Sequence, residues 1–269
     1  MEQFTDKKRE FETTIKRDYV VVKSNEIAQK SRYELSVTEQ RAIAFICSMI
    51  QPVPESHVYP KPPLQLEYQF EILDYARVCG MPENGKTYEE TKSLLKGLVQ
   101  KVMWLEMPDG TETTVNWVSK VWVNKRSGKV KIRIDEDMVS YLFNLKERFT
   151  SYGLLNVLAL RSQYSIRLYE MLKSYAYLKT KTFDLEELKK RFMVSDVKSY
   201  ERYSIFKQKV LNIALREINE YTDLFVLCEA ITKSKKVDKL KFIVTLKKPV
   251  DRFIAQNRAV MELDGVVRY

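Results

Sequence analysis

The 269-residue chain is 45% apolar and 30% charged, with 7 glycines and 8 prolines; this excludes a disordered or collagen-like polymer and suits one large domain or two ordinary ones. Its 46 basic and 36 acidic side chains leave a net charge of +10, which draws polyanions over long range and makes nucleic acid the leading partner. A single histidine, His57, and three scattered cysteines, Cys47, Cys79 and Cys228, supply too few ligands for a zinc site or a histidine-based catalytic triad.

In chain order, the polar residues 1–17 read as a flexible arm. Tyr19 to Val22 suggests a short strand and Asn25 to Ser31 a helical turn. Ser36-Val-Thr-Glu39 is a capping box that opens a helix carrying Ile43, Phe45, Ile46, Met49 and Ile50, stopped by Pro52 and Pro54. A Pro-rich surface loop, 51–63, holds His57. Tyr68 to Phe70 is a brief strand, and Glu71 to Val78 a short helix ended by Gly80. Thr87-Tyr-Glu-Glu90 reads as a second capping box before a helix through Leu94, Leu95, Leu98 and Val102. Strands are expected over 103–107, 114–123 and 129–134, with turns at Asp109-Gly110 and Ser127-Gly128.

The second half begins with a helix over 137–149 that links the halves. Helices over 152–160 and 165–178 follow, then a short helix capped at Asp184-Leu-Glu-Glu187. A long amphipathic helix covers 199–219, strands are expected over 224–228 and 239–246, and Pro249 begins a tail that is partly ordered around Phe253 and Ile254 and frays later. Both halves thus run helix, short helix, long helix, strand, basic turn, strand. Lys86-Thr-Tyr-Glu89 echoes Lys198-Ser-Tyr-Glu201 at the start of each long helix. The fold class is α+β, with tandem winged-helix domains. The divisions are an arm at 1–17, a first domain at 18–137, a second at 138–250 and a tail at 251–269.

On a helical wheel, Tyr203, Phe206, Val210, Leu211, Ala214 and Ile218 form a stripe that must be buried. The opposite face presents Glu201, Ile205, Gln208, Lys209, Asn212 and Arg216, with Arg202 at its edge. A solvent face carries charge in any case, but this mixture suits base edges. Gln208 and Asn212 pair bidentately with adenine, arginines reach guanine or phosphate, and Ile205 meets a thymine methyl. Free amides at Ser199 and Tyr200, beside Lys198, favour a phosphate. Lys233, Lys235, Lys236 and Lys239 suit a wing along the backbone, although four lysines also make an ordinary solvated turn. Arg161, Ser162, Tyr164 and Arg167 read as a further phosphate site at the next helix start. In the first half Lys125, Arg126 and Lys129 are the candidate wing contacts. Trp104, Trp117 and Trp122 read as core by default, or some of them as an interface with the second half or with another copy of the chain.

Specific segments carry a resemblance. Leu35-Ser-Val-Thr-Glu-Gln-Arg-Ala42, Tyr75-Ala-Arg-Val-Cys-Gly80 with Gly85-Lys-Thr-Tyr88, Ile134-Asp-Glu-Asp-Met138 and Leu145-Lys-Glu-Arg-Phe-Thr-Ser-Tyr152 resemble, in order, the plasmid replication initiators of the Rep_3 type. So do Ser165 to Tyr175, Phe183 to Leu188 and Leu211 to Asn219; together the matches span 20–246. The resemblance implies two winged-helix domains joined through a central helix, the second reading double-stranded origin DNA with direct repeats (iterons) and the first supplying accessory contact and a homodimer interface. It also implies non-covalent origin opening, recruitment of the host initiator and replicative helicase, and repression of the protein's own gene. The loop 51–63 and the modest charge of the first long helix depart from that pattern.

Three other readings compete. A winged-helix transcriptional regulator shares every feature above. A nicking relaxase needs a tyrosine with a metal held by histidines, which one histidine cannot build. A purely structural module does not account for the basic helix. No apolar signal core opens the chain and no run of 18 apolar residues occurs. The sequence therefore reads as a cytoplasmic DNA-binding protein without catalytic residues, cofactor, metal or membrane partner.

Overall fold

The computed structural model describes residues 2–50, 64–107, 109–143, 145 and 149–265, with side chains from residue 7 onward. The loop 51–63, with His57, lies outside the described residues. Residues 1–17 are not a loose arm over their described length. They form helix α1 (Glu2–Arg17), anchored at its end by Arg17, which is 6% exposed. That guanidinium donates to the carbonyls of Arg77 and Val78 and to the Asp264 carboxylate, while Lys16 pairs with Asp74.

Strand β1 (Val20–Ser24) and helix α2 (Asn25–Lys30) precede α3 (Val37–Ser48). The Ser36 box is formed in both directions: Ser36 Oγ accepts from the Glu39 amide at 3.3 Å and Glu39 Oε2 from the Ser36 amide at 2.7 Å, so two orphan donors are satisfied. After β2 (Glu67–Glu71), α4 (Ile72–Val78) ends at Gly80, φ +66°. Helix α5 (Gly85–Leu98) corrects the second expected box: its cap is Asn84, whose side chain accepts from the Thr87 amide at 2.9 Å, and Thr87 is buried inside the first turn.

Strands β3 (Val102–Glu106) and β4 (Glu112–Asn116) make a hairpin, and β5 (Val118–Val123) pairs with β6 (Lys129–Ile134). The expected single strand 114–123 is broken at Trp117, 2% exposed and edge-on to Tyr33 at 5.9 Å. Of the expected linking helix 137–149, the described residues hold a 3-10 turn (Glu136–Met138) and α6 (Val139–Leu142), and Phe149 is already in strand β7 (Phe149–Gly153).

Helices α7 (Leu155–Leu158) and α8 (Gln163–Tyr175), strand β8 (Thr180–Asp184) and helix α9 (Leu185–Arg191) follow. A 3-10 turn, Lys198–Glu201, leads into α10 (Tyr203–Phe206), a π-helical turn (Lys207–Leu211) and α11 (Asn212–Tyr221), which together form one continuous helix. Strands β9 (Leu224–Lys233) and β10 (Lys236–Leu246) form the last hairpin. The tail is ordered around Phe253 and Ile254 and well beyond them, because Pro249 opens helix α12 (Pro249–Leu263), whose buried face is Ala255, Ala259 and Leu263.

The sheets reveal the repeat directly. Strand order is β2-β6-β5 in the first half and β8-β10-β9 in the second; each is a strand between two helices, paired to the far strand of the wing hairpin. Helices α3, α4 and α5 therefore correspond to α8, α9 and the 203–221 helix. Each half also begins with a strand and a short helix, β1-α2 and β7-α7. Those two strands pair antiparallel with each other, Val20 opposite Gly153 through Ser24 opposite Phe149.

Beneath that junction lies a buried polar cluster. Lys23 (3% exposed) donates to Glu170 Oε1 (Glu170 is 1% exposed) at 2.7 Å. Tyr152 and Tyr33 also donate to the same carboxylate, the latter at 3.4 Å. Burial lowers the Lys23 pKa, but Glu170 together with Cys47 and Tyr33 outweighs it and the value ends above that of an ordinary lysine; Glu170, raised by burial and pulled down chiefly by Lys23, ends below the ordinary carboxylate value. Each charge is thus stable only with the other present.

Candidate nucleic-acid interface

The helix 203–221 is seated by Phe206, Val210, Leu211, Ala214 and Ile218, all buried, while Tyr203, expected in the same stripe, is half-buried. Phe206 meets Phe192 at 6.5 Å and Tyr200 at 5.8 Å, which fixes the helix against α9 and the preceding turn. Ser204, Lys207, Gln208, Lys209, Asn212 and Arg216 are exposed, and Ile205 is half-buried on the flank. The expected start at Ser199 moves. Lys198 and Ser199 are exposed in the 3-10 turn, Tyr200 packs on Phe206, and exposed Arg202 caps α10 with its carbonyl accepting from the Ile205 and Phe206 amides. Local hydrogen bonding of Arg202 explains the shift: the chain must turn there before the helix phase can bury Phe206.

The wing is longer and more ordered than a loose charged turn. Strands β9 and β10 run to Lys233 and Lys236, joined by Ser234 (φ +50°) and Lys235 (φ +66°). Two positive φ values in a two-residue loop define the turn whose twist matches a hairpin. Lys233, Lys235 and Lys236 are exposed at the tip. Lys239 is different, because it lies beside β8 and pairs with Asp184 at 3.2 Å, so it is held away from the tip.

The candidate phosphate site at Arg161, Ser162, Tyr164 and Arg167 is overturned. Glu217 Oε2, from the inner face of α11, accepts from the amides of Arg161 and Ser162 at 3.1 Å each. The anion that this helix start calls for is therefore the protein's own. Ser162 Oγ caps the Tyr164 amide, and Tyr164 packs on Phe192 at 5.7 Å. The Arg161 side chain pairs with Glu262 on α12. Arg167 is buried and donates to the carbonyls of Ile27, Ala28 and Ser31. It caps α2 from the other half, a role the sequence alone gave no sign of.

In the first half, Lys125, Arg126 and Lys129 are exposed on the β5–β6 turn, where Asn124 Oδ1 accepts from the amides of Arg126 and Ser127. The matching helix, α5, offers less positive field. Lys92 pairs with Glu89 at 2.9 Å and Lys86 lies 3.8 Å from Glu90. The tryptophans divide. Trp117 is core, Trp122 is half-buried beneath Lys120 and Lys131, and Trp104 stands exposed with Val102 and Met107 on the β3–β4 hairpin.

Burial pushes the Cys47 and Cys228 thiols up to about 11 and Cys79 up to about 12, far from reactive thiolates. Among the described residues, no group of three His, Cys, Asp or Glu side chains is placed to hold a metal ion. Among the same residues, no helix is long and apolar enough to cross a membrane.

Comparison with known proteins agrees with this geometry. The family model described as initiator replication protein, WH1, matches residues 20–173, and the one described as initiator Rep protein, WH2, matches 184–244. A replication initiation protein of Escherichia coli is 25% identical over 255 residues, covering 92% of this chain and 76% of that protein. The PI protein of Escherichia coli is 26% identical over 185 residues, 60% of this chain and 61% of that one. The crystal structure of the Pi initiator protein in complex with iteron DNA matches at a TM-score of 0.66 and 21% identity, over 86% of this chain and 99% of that one.

Proposed function

This chain belongs to the initiator replication protein family, and on that premise we propose that it starts plasmid replication by binding double-stranded origin DNA at direct repeats. The observation that carries the proposal is the exposed row Gln208, Asn212 and Arg216 on a helix locked against its domain, beside a hairpin tipped by Lys233, Lys235 and Lys236. Such a helix enters the major groove and reads base edges, while the wing neutralises phosphates. Arg202, at the helix start, and Lys198 with Ser199 before it face the flanking backbone. Lys209 lies on one side of the row and Lys125, Arg126 and Lys129 extend the contact from the first half. Repression of its own gene follows when the same half-sites occur at the promoter.

Recruitment of the host initiator and helicase, and origin opening, are the steps by which a non-covalent binder without a nucleophile leads to replication. The free protein forms a homodimer through the first half. Exposed Val102, Trp104 and Met107 give that hairpin an apolar face, whereas Trp117 is buried in the core. Its site of action is the cytoplasm.

Footprinting across the origin tests the proposal, together with a replication assay in which a fragment carrying the repeats replicates only when this chain is supplied. Protected direct repeats and dependent replication are expected. Protection of a single inverted repeat with no replication would identify a transcriptional regulator instead.

A further inference from the structure

At about 100° per residue, an unbroken helix places Lys207 between Ala214 and Ile218, in the middle of the buried stripe. The structure does not put it there. Between Lys207 and Leu211 the helix opens into a π turn, the Asn212 amide donates to the Lys207 carbonyl five residues back, and Lys207 is exposed. A turn that holds an additional residue rotates everything before it relative to everything after it.

Two consequences follow for the outer face. Residues four apart drift by about 40° around a regular helix. The wider winding of the π turn offsets part of that drift, which brings the exposed Ser204, Gln208 and Asn212 closer to one row than a regular helix would. Lys207 leaves the buried stripe for solvent, and its charge acts on Cys228 of the wing strand β9. A π turn inside a functional helix is a recurrent sign of a site.

We propose that this π turn sets the DNA-reading register: it adds Ser204 to the row that faces base edges and Lys207 to the phosphate contacts between helix and wing. The inference rests on the reading helix proposed above. It differs from that proposal in assigning two residues, and the phase of the whole row, to one inserted position.

The decisive variant is the full chain with Lys207 deleted. Deletion changes the spacing of Phe206 to Val210, Leu211 and Ala214 from 4, 5 and 8 to 3, 4 and 7, the periodicity of an ordinary amphipathic helix. The variant should therefore fold, with the circular dichroism of the parent. Titrations use an origin-repeat duplex and a scrambled duplex at several salt concentrations. Deletion should lower the specific-to-random affinity ratio about tenfold or more. Lys207→Ala should leave that ratio within about twofold and reduce the salt slope by roughly 0.9. Ser204→Ala should lower the ratio alone.

An unchanged ratio in the deletion variant, with Asn212→Ala and Arg216→Ala still lowering it, overturns the inference and leaves the reading helix standing. If none of these changes the ratio, the reading helix itself is misassigned. Should the deletion variant fail to fold, Ser204→Ala and Lys207→Ala decide, and two parental results refute the proposal.

Discussion

Replacing Lys23 with Met tests the junction between the halves most severely. Lys23 and Glu170 are almost wholly buried and 2.7 Å apart. Removing the cation strands a carboxylate whose other partners are two tyrosine hydroxyls and the more distant Arg167. Breaking a buried pair in this way costs about 3–5 kcal/mol. The pH dependence is as diagnostic as the size. In the parent, Glu170 sits below the ordinary carboxylate value, so its stabilisation holds above about pH 4.3 and is lost on further acidification. Lys23 sits above its ordinary value, so its part holds below about pH 10.4 and is lost as pH rises past that.

In Lys23→Met the sign for Glu170 reverses. Burial now raises its pKa, and the penalty present at pH 7 is relieved as pH falls toward about 4.3. Adding Glu170→Met should recover part of the loss, leaving the Tyr33 and Tyr152 hydroxyls without an acceptor at about 1–3 kcal/mol each. Urea unfolding at pH 5 and pH 7 measures all three, followed by circular dichroism and by tryptophan fluorescence (Trp117 lies 5.4 Å from Lys23 Nζ). A loss below about 1 kcal/mol in Lys23→Met, with the parental pH slope, would refute the reasoning.

Arg202→Ala and Arg216→Ala should each cost about 1–3 kcal/mol on repeat DNA and less on random DNA if they reach base edges; equal losses on both duplexes assign them to phosphate instead. Lys235→Ala and Lys236→Ala should weaken both duplexes alike and reduce the salt slope by roughly 0.9 each, as titration at four salt concentrations will show. Gly80→Ala places a Cβ 2.4 Å from the Leu263 carbonyl oxygen at φ +66°. The positive φ alone costs about 1–2 kcal/mol, and limited proteolysis should release α12 early; parental stability and protection would show that α12 is not docked there. Arg167→Met should destabilise by uncapping α2 without changing the salt slope, which separates its role from that of a phosphate ligand.

What the sequence could convey was whatever lies within one turn or one strand. The Ser36 box, the Gly80 stop, the Gly110 and Gly128 turns and the buried stripe from Phe206 to Ile218 are local patterns, and each is present. Failures came where a distant partner decides. Arg17 looks like the end of a polar arm until Asp264 is placed beside it. Arg167 and Ser162 look like a phosphate cradle until Glu217 and the α2 carbonyls arrive from elsewhere in the chain. Lys207 was legible in neither way: a wheel assumes a constant winding, and the π turn breaks it. Of the candidate contacts, those on the 203–221 helix other than half-buried Ile205 and those at the two hairpin tips are exposed, whereas Tyr200, Tyr164 and Arg167 belong to packing.

The antiparallel pairing of β1 with β7 has a consequence for how two wings can share one duplex. Five residue pairs, the Arg167 cap and the Lys23–Glu170 cluster make the described parts of the two halves a single stiff piece. The distance and angle between the 203–221 helix and its counterpart α5 are then properties of the protein, in the way that the gap between the jaws of a set gauge is. DNA supplies the compliance. On the proposed reading, a site whose two contact stretches are out of phase must twist or bend to fit, and the energy of that distortion discriminates at base pairs the protein never touches.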